Sequence, residues 1–473
     1  MIIFYLLLLS LPFVEHGFFG MAIGPLTMEK LIGAACFLYA ITYLPQRREV
    51  PRFFASPQAK AFALYVGLAV VSYLATAETF DFVDLIGVFF SQLVFFVTVM
   101  ILVDSRERLE ATVVTVTASV GIVSLYLIRE WVGNVGAYGI SYRPGFVAGD
   151  PNVFSASALL VLPIMLCPIR YAERGWQRLG AMFSLFVTLV AFVLAASRGG
   201  MLGLMCMSLW HMHDWRRRMI ALLVIAALVG GAFLLPSSPL DRLLKPNESD
   251  VESSNIRLQL WTASGLIFRD HPIFGVGLYN FPKYLHQYLP PGVDLEFVVP
   301  HNTYLEALVE LGLVGLLLFL SVIGFTLLSL SRLRRAAIAA GDAYYTALAT
   351  GVGSGIVGFA VAVFFLSAKH AKLFWFSVFL SACMAPIMEH SFRQAREKEE
   401  KSAESAPQSV QDELVAASGD AASVETLGVA STDLESTGAE STTEERPTAD
   451  GAAPENPKTD PPPIRVGNWL SRH

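Results

Sequence analysis

Three side chains equipped to handle an anion and a proton, Arg198, Arg257 and His301, stand in short polar stretches between long apolar runs. Arg198 lies in "AASRGGML", where two apolar runs meet with almost no loop, so its guanidinium sits at a membrane boundary and needs a partner. A planar fork of donors there suits a phosphate or pyrophosphate group; the plainer reading is an arginine that snorkels to lipid headgroups. Arg257 and Trp261 stand four apart in "RLQLW", which fits either a ligand contact or an interfacial anchor with a cation–π pair. His301 precedes a helix start in "VVPHNTYLEALVELGLVG". A neutral imidazole with a pKa of about 6.5 can take a proton from a hydroxyl nucleophile at neutral pH.

The neighbours of these residues divide between structure and chemistry. Thr303 and Glu306 fit a T-x-x-E capping box, with Thr303 capping an amide of the first turn and Glu306 reaching back, so both are expected to serve the helix. Asn302 is expected to support the turn or to bond a ligand. Glu310, one turn deeper on the same face, is expected to pair with a cation or to face a wet cavity. In "YRPGFVAGDPNVFSA", Asp150 reads as a helix N-cap with Pro151 in the first helical position; Asn152 follows as a candidate ligand and Arg143 adds another cation. The glycines of "HPIFGVGLYNFP" punctuate a helix end and form neither a phosphate loop nor a dinucleotide fingerprint. No acidic metal-binding cluster is seen beside them, and no cofactor is expected.

The elements that position these residues follow from composition. The chain is 54% hydrophobic and 12% aromatic, with a mean hydropathy of +0.53, which excludes an ordinary soluble domain and predicts an all-α polytopic integral membrane protein. About twelve runs approach the roughly 20 residues needed to cross a hydrocarbon core of about 30 Å. They lie at about 1 to 20, 26 to 45, 58 to 77, 82 to 103, 109 to 130, 152 to 170, 178 to 196, 199 to 213, 218 to 236, 303 to 330, 342 to 366 and 372 to 390. The first run lacks a basic leader and a small-residue cleavage site and is expected to be retained. Arg47, Arg48 and Arg52, Arg106 and Arg108, Arg170, Arg174 and Arg178, Arg216 to Arg218, and Arg332, Arg334 and Arg335 fall in alternate loops. The positive-inside rule makes those loops, and both termini, cytoplasmic.

With that phase, one large extracytoplasmic loop, about 237 to 302, joins the ninth and tenth runs, and the polar stretches above share its side of the membrane. Within it, Ile256, Leu260, Ala263 and Ile267 recur at helical spacing and predict a short amphipathic helix on the membrane surface or over a cavity. The transmembrane domain is expected to span 1 to 390. From 391 to 473 the chain is rich in Glu, Ser, Thr, Ala and Pro and is expected to be a disordered acidic cytoplasmic tail. Its last residues, "PPPIRVGNWLSRH", offer a docking motif for a cytoplasmic partner or a plain solvated end. Cys36, Cys167, Cys206 and Cys383 fall inside apolar runs and read as small core residues.

Taken in order, "GDPN", "SRGGMLGL", "RLQLW", "HPIFGVGLYNF" and "PHNTYLEALVELGLVG" resemble the O-antigen ligase and O-antigen polymerase superfamily of bacterial envelope proteins. The resemblance covers about residues 140 to 325 by motif, and the helical region by topology. It implies a metal-independent glycosyltransferase in the bacterial cytoplasmic (inner) membrane, acting on its outer face. The implied donor is an undecaprenyl-pyrophosphate-linked glycan, with no nucleotide sugar. The implied acceptor is a sugar hydroxyl, on lipid A-core for a ligase or on another lipid-linked repeat unit for a polymerase. By motif, Arg198 and Arg257 carry over as pyrophosphate partners, Arg143 as a third, and His301 as the group that deprotonates or orients the hydroxyl. Asn152, Trp261, Asn302 and Glu310 are candidate substrate contacts. Membrane lipids are expected neighbours and nucleic acid is not. A flippase or transporter for a lipid-linked anion, and a scaffold for envelope assembly, are the alternatives from other classes.

Overall fold

A computed structural model of the chain describes residues 1–13, 22–23, 26–44, 54–76, 90–139, 142–145, 149–210, 216, 219, 248–289 and 299–404. Its only strands among the described residues are the two-residue antiparallel pair β1 (Ala22–Ile23) and β2 (Leu26–Thr27). The helices are α1 (Ile2–Ser10), α2 (Met28–Tyr43), α3 (Pro57–Thr76), α4 (Ser91–Leu102), α5 (Arg106–Tyr138), α6 (Pro151–Val161), α7 (Leu166–Tyr171), α8 (Gly175–Leu194) and α9 (Arg198–Trp210). They continue with α10 (Glu248–Asp270), α11 (Phe281–Leu285), α12 (Thr303–Ala339), α13 (Ala343–Ala362) with a 3-10 turn at Val363–Phe365, and α14 (Lys372–Glu404).

Among the described residues, seven helical stretches are long and apolar enough to cross a membrane. They correspond to α3, α5, the α6–α7 pair, α8, α12, α13 with its 3-10 turn, and α14 to Gln394. Eleven of the twelve apolar runs contain a described helix, whereas the ninth, 218–236, lies outside the described residues apart from Met219. Three helices are shorter than the runs that hold them, α1 with 9 residues, α4 with 12 and α9 with 13, and much of the rest of those runs lies outside the described residues. The sixth run is bent, because Pro163 has no N–H to continue the ladder and a turn at 162–165 separates α6 from α7. At the other extreme, α14 runs to Glu404, past the expected boundary at 390, through a string of Arg, Gln, Glu, Lys and Ala residues that all favour helix. The remainder of the tail lies outside the described residues. Met1–Glu389 and His390–His473 separate as two units, and all that follows concerns the first.

Side-chain capping sets several helix starts. Ser105 accepts the Arg108 amide, and Asp342 accepts the amides of Tyr344 and Tyr345 at 3.0 and 3.1 Å. Asp150 caps α6 as the sequence predicts, with Pro151 in the first turn, accepting the Asn152 and Val153 amides at 2.6 and 3.2 Å. Within the bundle an aromatic cluster ties α3, α4, α12 and α14 together: Phe62 lies 5.0 Å from Trp375 and 4.9 Å from Phe379, and Tyr65 lies 5.8 Å from Phe319. Cys36, Cys167 and Cys383 are buried, Cys206 is half-buried, and all four are free thiols.

The long helices connect two ends of different chemistry. At one end Arg106 bonds Asp342 at 2.9 Å and lies over the rings of Tyr344 and Tyr345, while Tyr171 meets Tyr344 edge-on. Arg108 lies over Tyr43 and donates to its hydroxyl at 2.6 Å. Four of the loops expected to be cytoplasmic therefore share one end. The α6–α7 pair, α12 and α13 each run from there to the opposite end, where Asp150, the 3-10 turn and His301 lie.

Candidate functional site

The site end is shaped by a break in α12. At Gly312 the backbone turns to φ 69 and ψ −167, a region open essentially to glycine alone, so two ladder bonds are lost there. In an unbroken helix the amides of Leu313 and Val314 would bond the carbonyls of Val309 and Glu310. Instead, the turn-rich segment after α10 supplies all four partners. Val276 and Gly277 donate to the Val309 and Glu310 carbonyls at 2.9 and 3.0 Å, and Leu313 and Val314 donate to the Pro272 and Ile273 carbonyls at 2.9 and 3.3 Å. The approach is close on both sides: a Cβ on Gly312 would lie 2.1 Å from the Ile273 oxygen, and one on Gly275 would lie 2.3 Å from the Val309 oxygen. The glycines of "HPIFGVG" and "ELGLVG" therefore have a shared backbone purpose.

That strap seats α10 on the start of α12. Leu260, Ala263 and Ile267 are buried, with Ile256 beside them, against Val276, Phe281, Leu285 and Val309. The amphipathic face read from the sequence is this one, on a helix of 23 residues rather than a short one. From it, the Trp261 indole donates to the Pro300 carbonyl at 2.9 Å and meets Phe364 of the 3-10 turn edge-on at 5.6 Å. Trp261 thus fixes the backbone immediately before His301.

The start of α12 departs from the expected capping box. Asn302 is the N-cap: its side-chain oxygen accepts the Tyr304 and Leu305 amides at 3.0 and 3.1 Å, and it is 2% exposed, so it supports the turn. Thr303 is turned away from the cap. Its hydroxyl donates to the Leu366 carbonyl at 2.7 Å and accepts the Ala368 amide at 2.9 Å, fastening the turn between α13 and α14. Glu306 is equally diverted, because Lys369 from that turn reaches in and bonds Glu306 at 2.9 Å together with Glu310. All three charged groups are buried, at 5%, 2% and 3% exposure for Glu306, Glu310 and Lys369. Burial opposes the Lys369 ammonium, but Glu306 and Glu310 outweigh it and hold the group well above the usual lysine range. Lys369 also lies 5.1 Å over the Tyr279 ring, whose hydroxyl is 3.2 Å from His370 Nε2. Burial, and next to it the Lys369 ammonium, keep His370 well below the usual histidine range.

His301 is half-buried just outside the cap, with φ 49. Burial lowers its pKa first and the Arg257 guanidinium second, while Asp150 and Glu306 pull the other way. Arg257, His301, Asp150 and Glu306 therefore form one electrostatic neighbourhood drawn from three helices. Arg143 donates to Asn152 at 2.9 Å and to the Ala195 carbonyl at 2.8 Å, tying the α6 start to the turn that leads into Arg198. Arg198 itself is exposed in the first turn of α9. Its neighbour Gly199 lies against the 3-10 turn, where an added Cβ would contact the Ala362 carbonyl and Phe365. Among the described residues, the only non-glycine positions with positive φ are Ala196, Tyr279 and His301. All three border this end, where such conformations tend to be retained for function.

The expected residues thus divide. Arg257 and His301 share a neighbourhood, Arg143 and Asn152 are bonded to each other, and Arg198 begins a helix on the same side of the bundle. Glu310 faces its cation, Lys369, and Asn302 is a cap. Lys369, Tyr279, His370 and the buried role of Glu306 were not found from the sequence. The available signal was a pair of acids one turn apart on an apolar helix, which requires a cation, and a lone Lys in "SAKHA" at the matching end of the next two runs. A family model described as O-antigen ligase matches residues 183–320. That stretch holds Arg198, Arg257, Trp261, His301, Asn302 and Glu310, and leaves out Arg143, Asn152 and Lys369. The resemblance to the O-antigen ligase superfamily is shown by this match. A search of curated proteins finds no match.

Proposed function

We propose that this multi-pass membrane protein is a glycan transferase of the O-antigen ligase type, moving an undecaprenyl-pyrophosphate-linked glycan to a sugar hydroxyl at the outer face of the cytoplasmic membrane. The observation that carries this reading is His301. Its imidazole is half-buried and held toward the neutral, basic form by burial and by Arg257, within the stretch the family match covers. The opposite, arginine-bearing end then faces the cytoplasm, in keeping with the positive-inside rule.

In this mechanism a ring nitrogen of His301 takes the proton from the acceptor hydroxyl as its oxygen attacks the anomeric carbon. The bond from that carbon to the pyrophosphate oxygen breaks, and the electron pair leaves with the pyrophosphate. Arg198 and Arg257 stabilise the charge that develops on the leaving group, with Arg143 as a third cation braced by Asn152. Trp261 holds the His301 backbone in place through Pro300.

Arg198→Lys is the direct test of the leaving-group role, since lysine keeps the charge and loses the planar fork. Transfer is expected to fall about 10²-fold or more at unchanged expression; normal transfer would remove Arg198 from that role. Deletion of the gene followed by glycan analysis separates the acceptors. Long lipid-linked chains that fail to reach the core mark a ligase, and single units still attached to the core mark a polymerase. Unchanged transfer activity in membranes opened to both sides, with loss only in sealed ones, would mark a flippase.

A further inference from the structure

We infer that Glu306 is a positioning residue for His301, orienting the imidazole and receiving its N–H as it takes the acceptor proton, with Lys369 and Glu310 holding that carboxylate in place. The inference deepens the reading above and rests on His301 as the proton acceptor.

The geometry begins with the corrected cap. With Asn302 as N-cap, His301 is the residue just before it and Glu306 the fourth residue of the helix. Side chains at these two positions meet across the first turn, usually as an apolar staple that sets the entry angle of the chain. Here the staple positions carry an imidazole and a carboxylate. Glu306 spends one oxygen on Lys369 at 2.9 Å, and its other oxygen, Oε2, is buried with no hydrogen-bond partner among the described residues. A buried, unpartnered carboxylate oxygen is costly unless a donor reaches it at some stage. The N–H of a rotating His301 ring is such a donor on the neighbouring staple position.

Charge leads to the same pairing. Glu306 and Glu310 meet one ammonium, that of Lys369, so with both carboxylates ionised the buried trio carries one net negative charge. When His301 gains the acceptor proton, the four groups sum to neutrality. The trio is thus complementary to the protonated imidazole and not to the resting one, which is where a positioning group accelerates a reaction. The proton moves from the acceptor hydroxyl to one ring nitrogen, while the other nitrogen keeps its hydrogen and donates it to Oε2. The other groups facing His301 are Arg257 on α10, which opposes its protonation, and Asp150 at the start of α6, which favours it. Lys369 is turned into the trio and His370 toward Tyr279.

The test is Glu306→Gln in the full-length protein reconstituted in nanodiscs, which keeps shape and an acceptor for Lys369 and removes the charge. Two readouts are taken: transfer against pH, and the titration of His301 by nitrogen-15 resonance of labelled histidine. The transfer rate is expected to fall about tenfold or more, and both the acidic limb of the profile and the His301 titration to move to lower pH by up to about one unit. A merely structural Glu306 would lower the amount of folded protein and leave both titrations where they were, which overturns the inference. If that variant does not accumulate, the unmodified protein with undecaprenyl pyrophosphate bound still decides: a single His301 tautomer supports the pairing, and a mixture of tautomers overturns it. His301→Ala separates the two layers. Loss of transfer in that variant with unmoved titrations in Glu306→Gln discards the positioning role alone, whereas full transfer in His301→Ala discards the base reading itself.

Discussion

Replacing Lys369 by methionine should damage the fold more than any other single change at this end of the bundle. The substitution keeps length and bulk and removes the ammonium that meets Glu306 and Glu310, which are 5% and 2% exposed. Breaking a buried ion pair from one side leaves an uncompensated buried charge and typically costs about 3–5 kcal/mol. Here two carboxylates are stranded about one helical turn apart, so the upper part of that range applies. Unfolding in mixed micelles, followed by tryptophan fluorescence, measures the loss. The reasoning also makes a second demand. The triple variant Lys369→Met, Glu306→Gln, Glu310→Gln removes all three charges together, and replacement of a whole buried ionic group is often close to neutral. It should therefore recover most of the lost stability while transfer stays about tenfold or more below that of the unmodified protein through the loss of Glu306. A single variant costing under about 1 kcal/mol, or a triple variant no better than the single, would refute the account of the trio.

Two further outcomes follow from the backbone. Gly312→Ala should lower the yield of folded protein sharply, by at least the roughly 1–3 kcal/mol of a strained conformation, because its Cβ would meet the Ile273 carbonyl; Gly324→Ala, in open space on the same helix, should be tolerated, and thermal melts of both check this. Asn302→Ala should cost about 0.5–2 kcal/mol and Asn302→Asp should restore it, because either Asn or Asp accepts the two amides; equal losses in both would return Asn302 to a substrate role.

What was legible in the sequence was local. The apolar runs, the Asp150 cap and the buried face of α10 depend on residues within a few positions of one another, and each appears where periodicity and capping chemistry put it. The start of α12 was read one residue late because Asn302 and Thr303 are both good caps, and the choice between them was made elsewhere: Leu366 and Ala368 claim the Thr303 hydroxyl. Lys369 lies 59 residues from Glu310, and nothing in the local pattern of either residue names the other. The break at Gly312 was equally hidden, since "ELGLVG" reads as continuous apolar helix until the strap from Pro272 to Gly277 is seen to supply the four missing partners. Of the candidate site, the two arginines and His301 were visible as polar residues at apolar boundaries. The carboxylate beside His301 was explained away by the cap it does not make.

The central claim is transfer itself, and it is tested most directly by the purified protein in nanodiscs with an undecaprenyl-pyrophosphate-linked glycan and lipid A-core as the added acceptor. The account predicts glycan joined to the acceptor with release of undecaprenyl pyrophosphate, lost when His301 is replaced by alanine. Intact donor after full incubation with either acceptor class, core or a second lipid-linked unit, would contradict it.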